Sequence, residues 1–236
     1  MDLNEVMRVT FAAREFTDED VPDEVIYRVL DNARFAPSGG NRQGWKVIVI
    51  RNPDTKQRLG ELCHPSLRIA LSQIKAGEVY WQTYSPTSVD VDAVANDPDI
   101  PIMIPMFEKL GEVPAVLLLT VDLRVVASTD KDIDRIGVVS GASIYPMAWN
   151  ILLGLRNEGY GGAMTTLIAS AEPEVKELLG LAPYEAVCAL LPVGRPPKQL
   201  TKLSRKPVEE FVVRERGDGE PFTLSPNRDG SSSASA

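Results

Sequence analysis

The 236-residue chain has two cysteines, a single histidine and no long apolar run, and each scarcity closes off a class of chemistry. Cys63 and Cys188 cannot build a disulfide framework, and with His64 alone they offer no zinc-binding spacing, so no metal is expected. Cys188 lies within the apolar run AVCALLPV and reads as a small core residue. Cys63 adjoins His64 but has no third orienting group in sequence reach, and reads as structural too. A Ser-His-Asp triad could use only His64, and no G-x-S-x-G precedes a helix. The glycines at 159, 161 and 162 do not complete G-x-G-x-x-G because position 164 is Met, and no G-x-x-x-x-G-K-[ST] phosphate loop is present. The longest apolar run, Pro114 to Val121, is far too short to span a bilayer. The N-terminus is polar and acidic where a signal peptide is basic and then apolar, so the expected compartment is the cytoplasm. Positive charge is also in deficit: 25 Lys+Arg face 33 Asp+Glu, a net charge of −8. That balance argues against nucleic acid or a membrane surface as partner.

What is present is the composition of a globular protein, 44% hydrophobic and 25% charged, without internal repeats or a linker. One α+β domain over residues 1–226 is the economical reading, with a Ser/Gly/Ala-rich tail at 227–236 read as disordered. Ile26, Val29, Leu30 and Ala33 follow a helical period after Pro22. Lys46 to Ile50 reads as a short strand. Asn52-Pro53 starts one or two helices running into the seventies and broken at Pro65. The runs from Pro114 to Val121 and from Ala186 to Val193 suit strands buried on both faces. A long helix is expected from about Ile133 to Glu158, kinked or broken at Pro146 and stopped by Gly159. A shorter helix spans about Pro173 to Leu179, ended by Gly180, and Phe211 to Val213 could form one more strand.

Between Gly77 and Gly111 the pattern dissolves. Aromatic and methionine side chains accumulate there among prolines, the composition of a lid over a ligand or of an excursion covering core. Trp81, Tyr84, Met103 and Phe107 are the candidates for contact with a substrate. The stretch Ala36-Pro37-Ser38-Gly39-Gly40-Asn41-Arg42-Gln43-Gly44-Trp45 places carboxamides, a hydroxyl and free backbone N–H groups immediately before a strand, where they can pair with the edge of a planar heteroaromatic ring. Arg8, Arg14 and Arg205 could converge on a phosphate, which guanidinium binds bidentately.

Taken in order, Arg14-Glu15-Phe16, Val21-Pro22, APSGGNRQGW leading into KVIVI, GASIYPMAWNILLGLRNEGYGGAMTT and SRKPVEEFVV resemble the FMN-dependent nitroreductase family over roughly residues 3 to 214. Only the segment at 77–111 has no counterpart in the resemblance. The resemblance implies a three-layer α-β-α fold with a mainly antiparallel central sheet, assembled as an interlocked homodimer with two FMN molecules in its interface. It implies that Pro37, Ser38, Gly39, Asn41 and Gln43 face the flavin, from the partner subunit, and that Gly161 and Gly162 present N–H groups near flavin N5. Arg205 matches the family's C-terminal phosphate-binding arginine. Where the family shows Arg-Arg-Ser-x-Arg, this chain reads Thr10-Phe11-Ala12-Ala13-Arg14, so Arg8 and Thr10 are expected to replace part of the phosphate site beside Arg14. The implied reaction is ping-pong reduction of a small aromatic acceptor, a nitroaromatic or quinone, with NADPH or NADH as donor and no dedicated side-chain acid or base. The alternatives on the same scaffold are reductive dehalogenation, flavin fragmentation, substrate oxidation, or flavin binding without turnover.

Overall fold

Four strands, β1 (Trp45–Ile50), β2 (Ala115–Asp122), β3 (Gly161–Gly162) and β4 (Glu185–Gly194), form one antiparallel sheet in the order β1-β2-β4-β3. The computed structural model describes residues 1–224, and the expectation for 227–236 falls outside them. Seven helices accompany the sheet in the described residues: α1 (Leu3–Val9), α2 (Asp23–Ala33), α3 (Pro53–Leu62), α4 (His64–Lys75), α5 (Val91–Ala95), α6 (Tyr145–Asn157) and α7 (Glu172–Leu179). The chain forms two compact units, Met1–Thr201 and a smaller one from Lys202 onward.

Because successive side chains of a strand point to opposite faces, the near-continuous apolar runs of β2 and β4 demand cover on both sides. Leu117, Leu119 and Val121 pack with α2 and α6 on one face; Val116 and Leu118 pack with α3, α4 and α7 on the other. The result is the three-layer arrangement. The register slips between Leu119 and Thr120, which pair with Ala189 and Val187 and leave Cys188 as the extra residue of a β-bulge. That slip puts Cys188 into the same core cluster as its neighbour Ala189. Burial pushes the Cys188 thiol up to about 12 and does the same to Cys63, so both are inert core residues at neutral pH.

Helix boundaries follow local chemistry. Asn52 caps α3 by accepting from Thr55 N at 2.8 Å. Pro65 opens α4 within its first turn, and Gly180 ends α7 at φ +63°. Three sequence expectations are corrected. The helix foreseen over 133–158 is α helix only from Tyr145, with a 3₁₀ turn at Val139–Ser143 before it. Pro146 therefore sits at the start of α6, where its missing N–H costs nothing, so the foreseen kink does not occur and the foreseen break falls between the 3₁₀ turn and α6. Residues 123–138 instead wrap around Asp130, whose carboxylate accepts from Val138 N at 2.7 Å, Val139 N and Arg135 Nη1. The third correction lies in the smaller unit: 208–210 is a 3₁₀ turn and Val213 makes only a single bridge to Pro221, so 211–213 is not a strand of the sheet. Helix α1 was not foreseen; it is capped by Asp2 and buries only Val6 and Val9.

Candidate active site

The N-terminal arm returns from α1 to the sheet edge. Ala12 pairs in parallel fashion with Gly162, and Ala13 N donates to Gly162 O at 3.0 Å. Gly162 of β3 is sterically required and Gly161 is tightly packed. A Cβ on Gly161 would lie 3.2 Å from Ala13 and Pro196, and one on Gly162 would lie 2.8 Å from Pro192 O. The arm thereby carries Arg14 to the mouth of a cavity of about 510 Å³ that opens beside the turn following β3.

Three walls line this half-open cavity. Ala163 to Leu167 form the first, Ser66, Leu67 and Ala70 of α4 the second, and Tyr80, Trp81, Met103, Ile104, Met106 and Phe107 from the irregular segment the third. Hydrogen bonds pin that third wall to the body. Trp81, held in the left-handed region at φ 55°, donates its N–H to Gln73 Oε1 at 3.0 Å. A bulky aromatic in that conformation is strained, and such strain gathers at ligand clamps. Arg68 reaches Ala95 O and Ile100 O, and His64 Nε2 lies 3.1 Å from Phe107 O. Glu78 accepts from Thr87 Oγ1 and from the N–H and hydroxyl of Ser88 at 2.6 to 2.7 Å. Those bonds, the Ser88 hydroxyl first, hold its carboxyl below the usual range.

Of the four residues expected to meet a substrate, Trp81, Met103 and Phe107 line the cavity and Tyr84 does not: it is 99% exposed. Phe107 is at the same time a core residue, 1% exposed. The residues expected to hold a cofactor fall in four places, and one pair of them, Gly161 and Gly162, forms β3 without lining the cavity. Arg14 lines the cavity, and Arg8 is exposed at the end of α1. Thr10 is buried with its hydroxyl donated to Val6 O at 2.6 Å, so its proton is spent on closing α1.

Pro37, Ser38, Gly39, Asn41 and Gln43 line no part of this cavity. Their loop is built around Ser38, which accepts at Oγ from Gln43 N, and is docked through Gly39 N to Ser143 Oγ at 3.0 Å. Asn41 and Gln43 both stand in the left-handed region, at φ 53° and 50°, and are exposed. Arg205 belongs to the smaller unit, where its Nη1 donates to Ser204 O.

Sequence reasoning missed the polar side of the cavity. Ser66 of α4 meets Ser170 of the 3₁₀ turn Leu167–Ala171 at 2.5 Å, and Ser170 in turn donates to Leu167 O. Thr165 and Thr166 add two more hydroxyls. No local pattern marks such residues, because helix packing brings them together across about a hundred positions.

The family model of the nitroreductase family matches residues 8–195. The chain belongs to the nitroreductase family. Among curated relatives it is similar to the iodotyrosine deiodinase of Hydra vulgaris, 26% identical over 88% of this chain and 71% of that protein. Iodotyrosine deiodinase 1 of Homo sapiens is also 26% identical, over 89% of this chain and 67% of the human protein. Among solved structures, an iodotyrosine deiodinase bound to FMN and 3-iodo-L-tyrosine superimposes with a TM-score of 0.63 at 20% identity, covering 91% of this chain and 99% of that one. The NfrA1 nitroreductase of B. subtilis gives 0.64 at 16% identity, over 91% and 74%. The family's α+β fold, an antiparallel sheet between helical layers, is the fold observed here. No helix of the described residues is long and apolar enough to cross a membrane.

Proposed function

We propose that the chain is an FMN-dependent oxidoreductase acting as a homodimer, and that its reaction is reductive dehalogenation of an aromatic substrate. The observation that carries this reading is the lidded apolar cavity beside β3, with Arg14 at its mouth. The likeness to iodotyrosine deiodinases over most of the chain favours dehalogenation over nitro reduction.

The residues present fit FMN by their chemistry. Arg14 offers a guanidinium to an anion, with Arg8 as a further candidate, and Thr165 and Thr166 offer hydroxyls. Asn41 and Gln43 offer exposed carboxamides from a strained loop that takes no part in lining the cavity. That loop suits completion of a partner's site. Phe35, immediately before it, is 74% exposed and Tyr27 is 73% exposed, apolar surface of the kind an interface covers. When bound, FMN supplies the two electrons that, with one proton, convert an aryl halide into the arene and halide ion, and NADPH or NADH replenishes them. The chain's own residues stack the aromatic ring against Trp81, Met103 and Phe107, exclude water with the lid and hold anionic charge at Arg14.

A second reading, NAD(P)H-dependent reduction of a nitroaromatic or quinone, is favoured by the lining. Arg14 and Tyr80 are its only titratable side chains among the described residues, and hydride acceptance by such substrates needs no protein acid or base. Protein reconstituted with FMN and reduced anaerobically decides between the two. Reoxidation by 2-iodophenol with release of equimolar iodide is the expected result. No iodide, with brisk NADPH-driven reduction of a nitroaromatic, would favour the second reading, and a protein that cannot take up FMN removes both.

A further inference from the structure

We infer that Gln73 is the positioning residue of the lid: its side-chain carbonyl sets Trp81 at the cavity wall and thereby fixes how tightly an aromatic substrate is held. The inference rests on the stacking role given to Trp81 in the dehalogenation reading and names the group that makes that role possible. Gln73 stands in α4 at the spacing i, i+4, i+7 with Ser66 and Ala70, the face that this helix turns to the cavity. It is a polar side chain only 5% exposed, and burial of that kind demands a partner.

The end of α4 shows what that partner is. Gly77, at φ +78°, closes the helix: Gly77 N donates to Ile74 O at 3.0 Å and Glu78 N donates to Gln73 O at 2.9 Å, the paired bonds of a Schellman cap. The backbone carbonyl of Gln73 thus fastens Glu78, and its Oε1 fastens the chain three residues on by accepting from Trp81 N at 3.0 Å. Residues 78–81 are folded back over one side chain. Both bonds run between α4 and the lid of a single chain, whatever a cofactor or a second copy adds to the cavity.

Trp81 needs the bond. A bulky aromatic at φ 55° lies in a region that costs it about as much as one buried hydrogen bond returns, so with the acceptor gone the extended conformation becomes the easier one. A change from left-handed to extended backbone at that residue swings the indole out of the position in which it lines the cavity. Gln73 itself is not among the lining residues. It acts only through the place it gives Trp81.

A double-mutant cycle on oxidised, FMN-loaded protein tests this, with 2-iodophenol as the probe and the flavin absorption band as the signal. Gln73→Leu, of similar size but without an acceptor, should weaken binding by about tenfold, the scale of one buried hydrogen bond, and should speed amide exchange across residues 78–84. Gln73→Glu, which keeps an acceptor oxygen, should recover most of that loss. In a Trp81→Ala background the Leu substitution should change the affinity by less than about twofold. Parent-like affinity in Gln73→Leu, no difference between the Leu and Glu variants, or the same loss with and without the Trp81 side chain overturns the assignment, as does failure of the parent to bind the phenol. Iodide release, measured separately on reduced protein, tests the dehalogenation reading. Coupling between Gln73 and Trp81 without iodide release therefore strikes that reading and leaves the role of Gln73 standing.

Discussion

At the scale of single residues, the site depends on atoms that are not there. Gly162 has Pro192 O 2.8 Å and Leu152 Cδ2 3.1 Å from where a Cβ would stand, distances that neither a backbone carbonyl nor a packed core side chain can relieve cheaply. Gly162→Ala is expected to cost about 1–3 kcal/mol, the usual range for overpacking, read from the midpoint of urea unfolding. It should also displace the arm that carries Arg14. Asp130 organises its loop in the opposite manner, by accumulating bonds. The N–H of Val138 and then the Arg135 guanidinium hold its carboxyl down to about 2, below an unfolded value of about 3.9. A depressed folded value contributes stability that is complete above the unfolded one and is lost as pH falls through the folded one. Asp130→Asn should therefore be less stable than the parent at neutral pH, and the gap should close between about pH 4 and pH 2, where thermal unfolding of the pair checks it.

At the scale of elements, the lid and the start of α6 show why some segments could be read from sequence and others could not. Strands β2 and β4 declare themselves because burial on both faces leaves little room for polar residues, Thr120 being the buried exception within β2, and the break between α3 and α4 declares itself through Pro65. The stretch at 133–144 carries helical spacing in Ile133, Ile136, Ser140 and Ile144, yet Asp130 captures the N–H groups of Val138 and Val139 that a helix would have bonded internally. Periodicity lost there to one buried carboxylate. Helix α1 is short and buries two side chains, too few to print a period.

The irregular lid could be recognised by composition and three of its four chosen residues do line the cavity; exposure of Tyr84 depends on a backbone path no pattern encodes. Glu78 is the clasp of that path. Glu78→Ala should loosen residues 79–88, seen as faster chymotrypsin cleavage at Tyr80, Trp81 or Tyr84, and should raise KM for the aromatic substrate. Acidification that protonates Glu78 should loosen the parent's lid in the same direction, since its folded value is the depressed one.

At the scale of the whole molecule, the separation between the 37–43 loop and the cavity is the main fact. On the dimeric reading proposed above, that loop is half of a flavin site whose other half is the cavity, and each half completes the other in a second copy. Phe35→Glu should shift the protein from twice the chain mass to the monomer in analytical ultracentrifugation. FMN should be lost in the same preparations; retention of full FMN by a clean monomer would contradict the shared site.

The edge of the sheet has one further consequence. β3 is only two residues long, and the carbonyl of Gly162 is covered by the returning arm through Ala12 and Ala13. Whatever lifts that arm leaves a bare strand edge next to a row of apolar side chains, the situation in which β proteins stick to one another. Shortening the chain past Ala13 is thus a recipe for aggregates, and an affinity handle belongs at the other terminus.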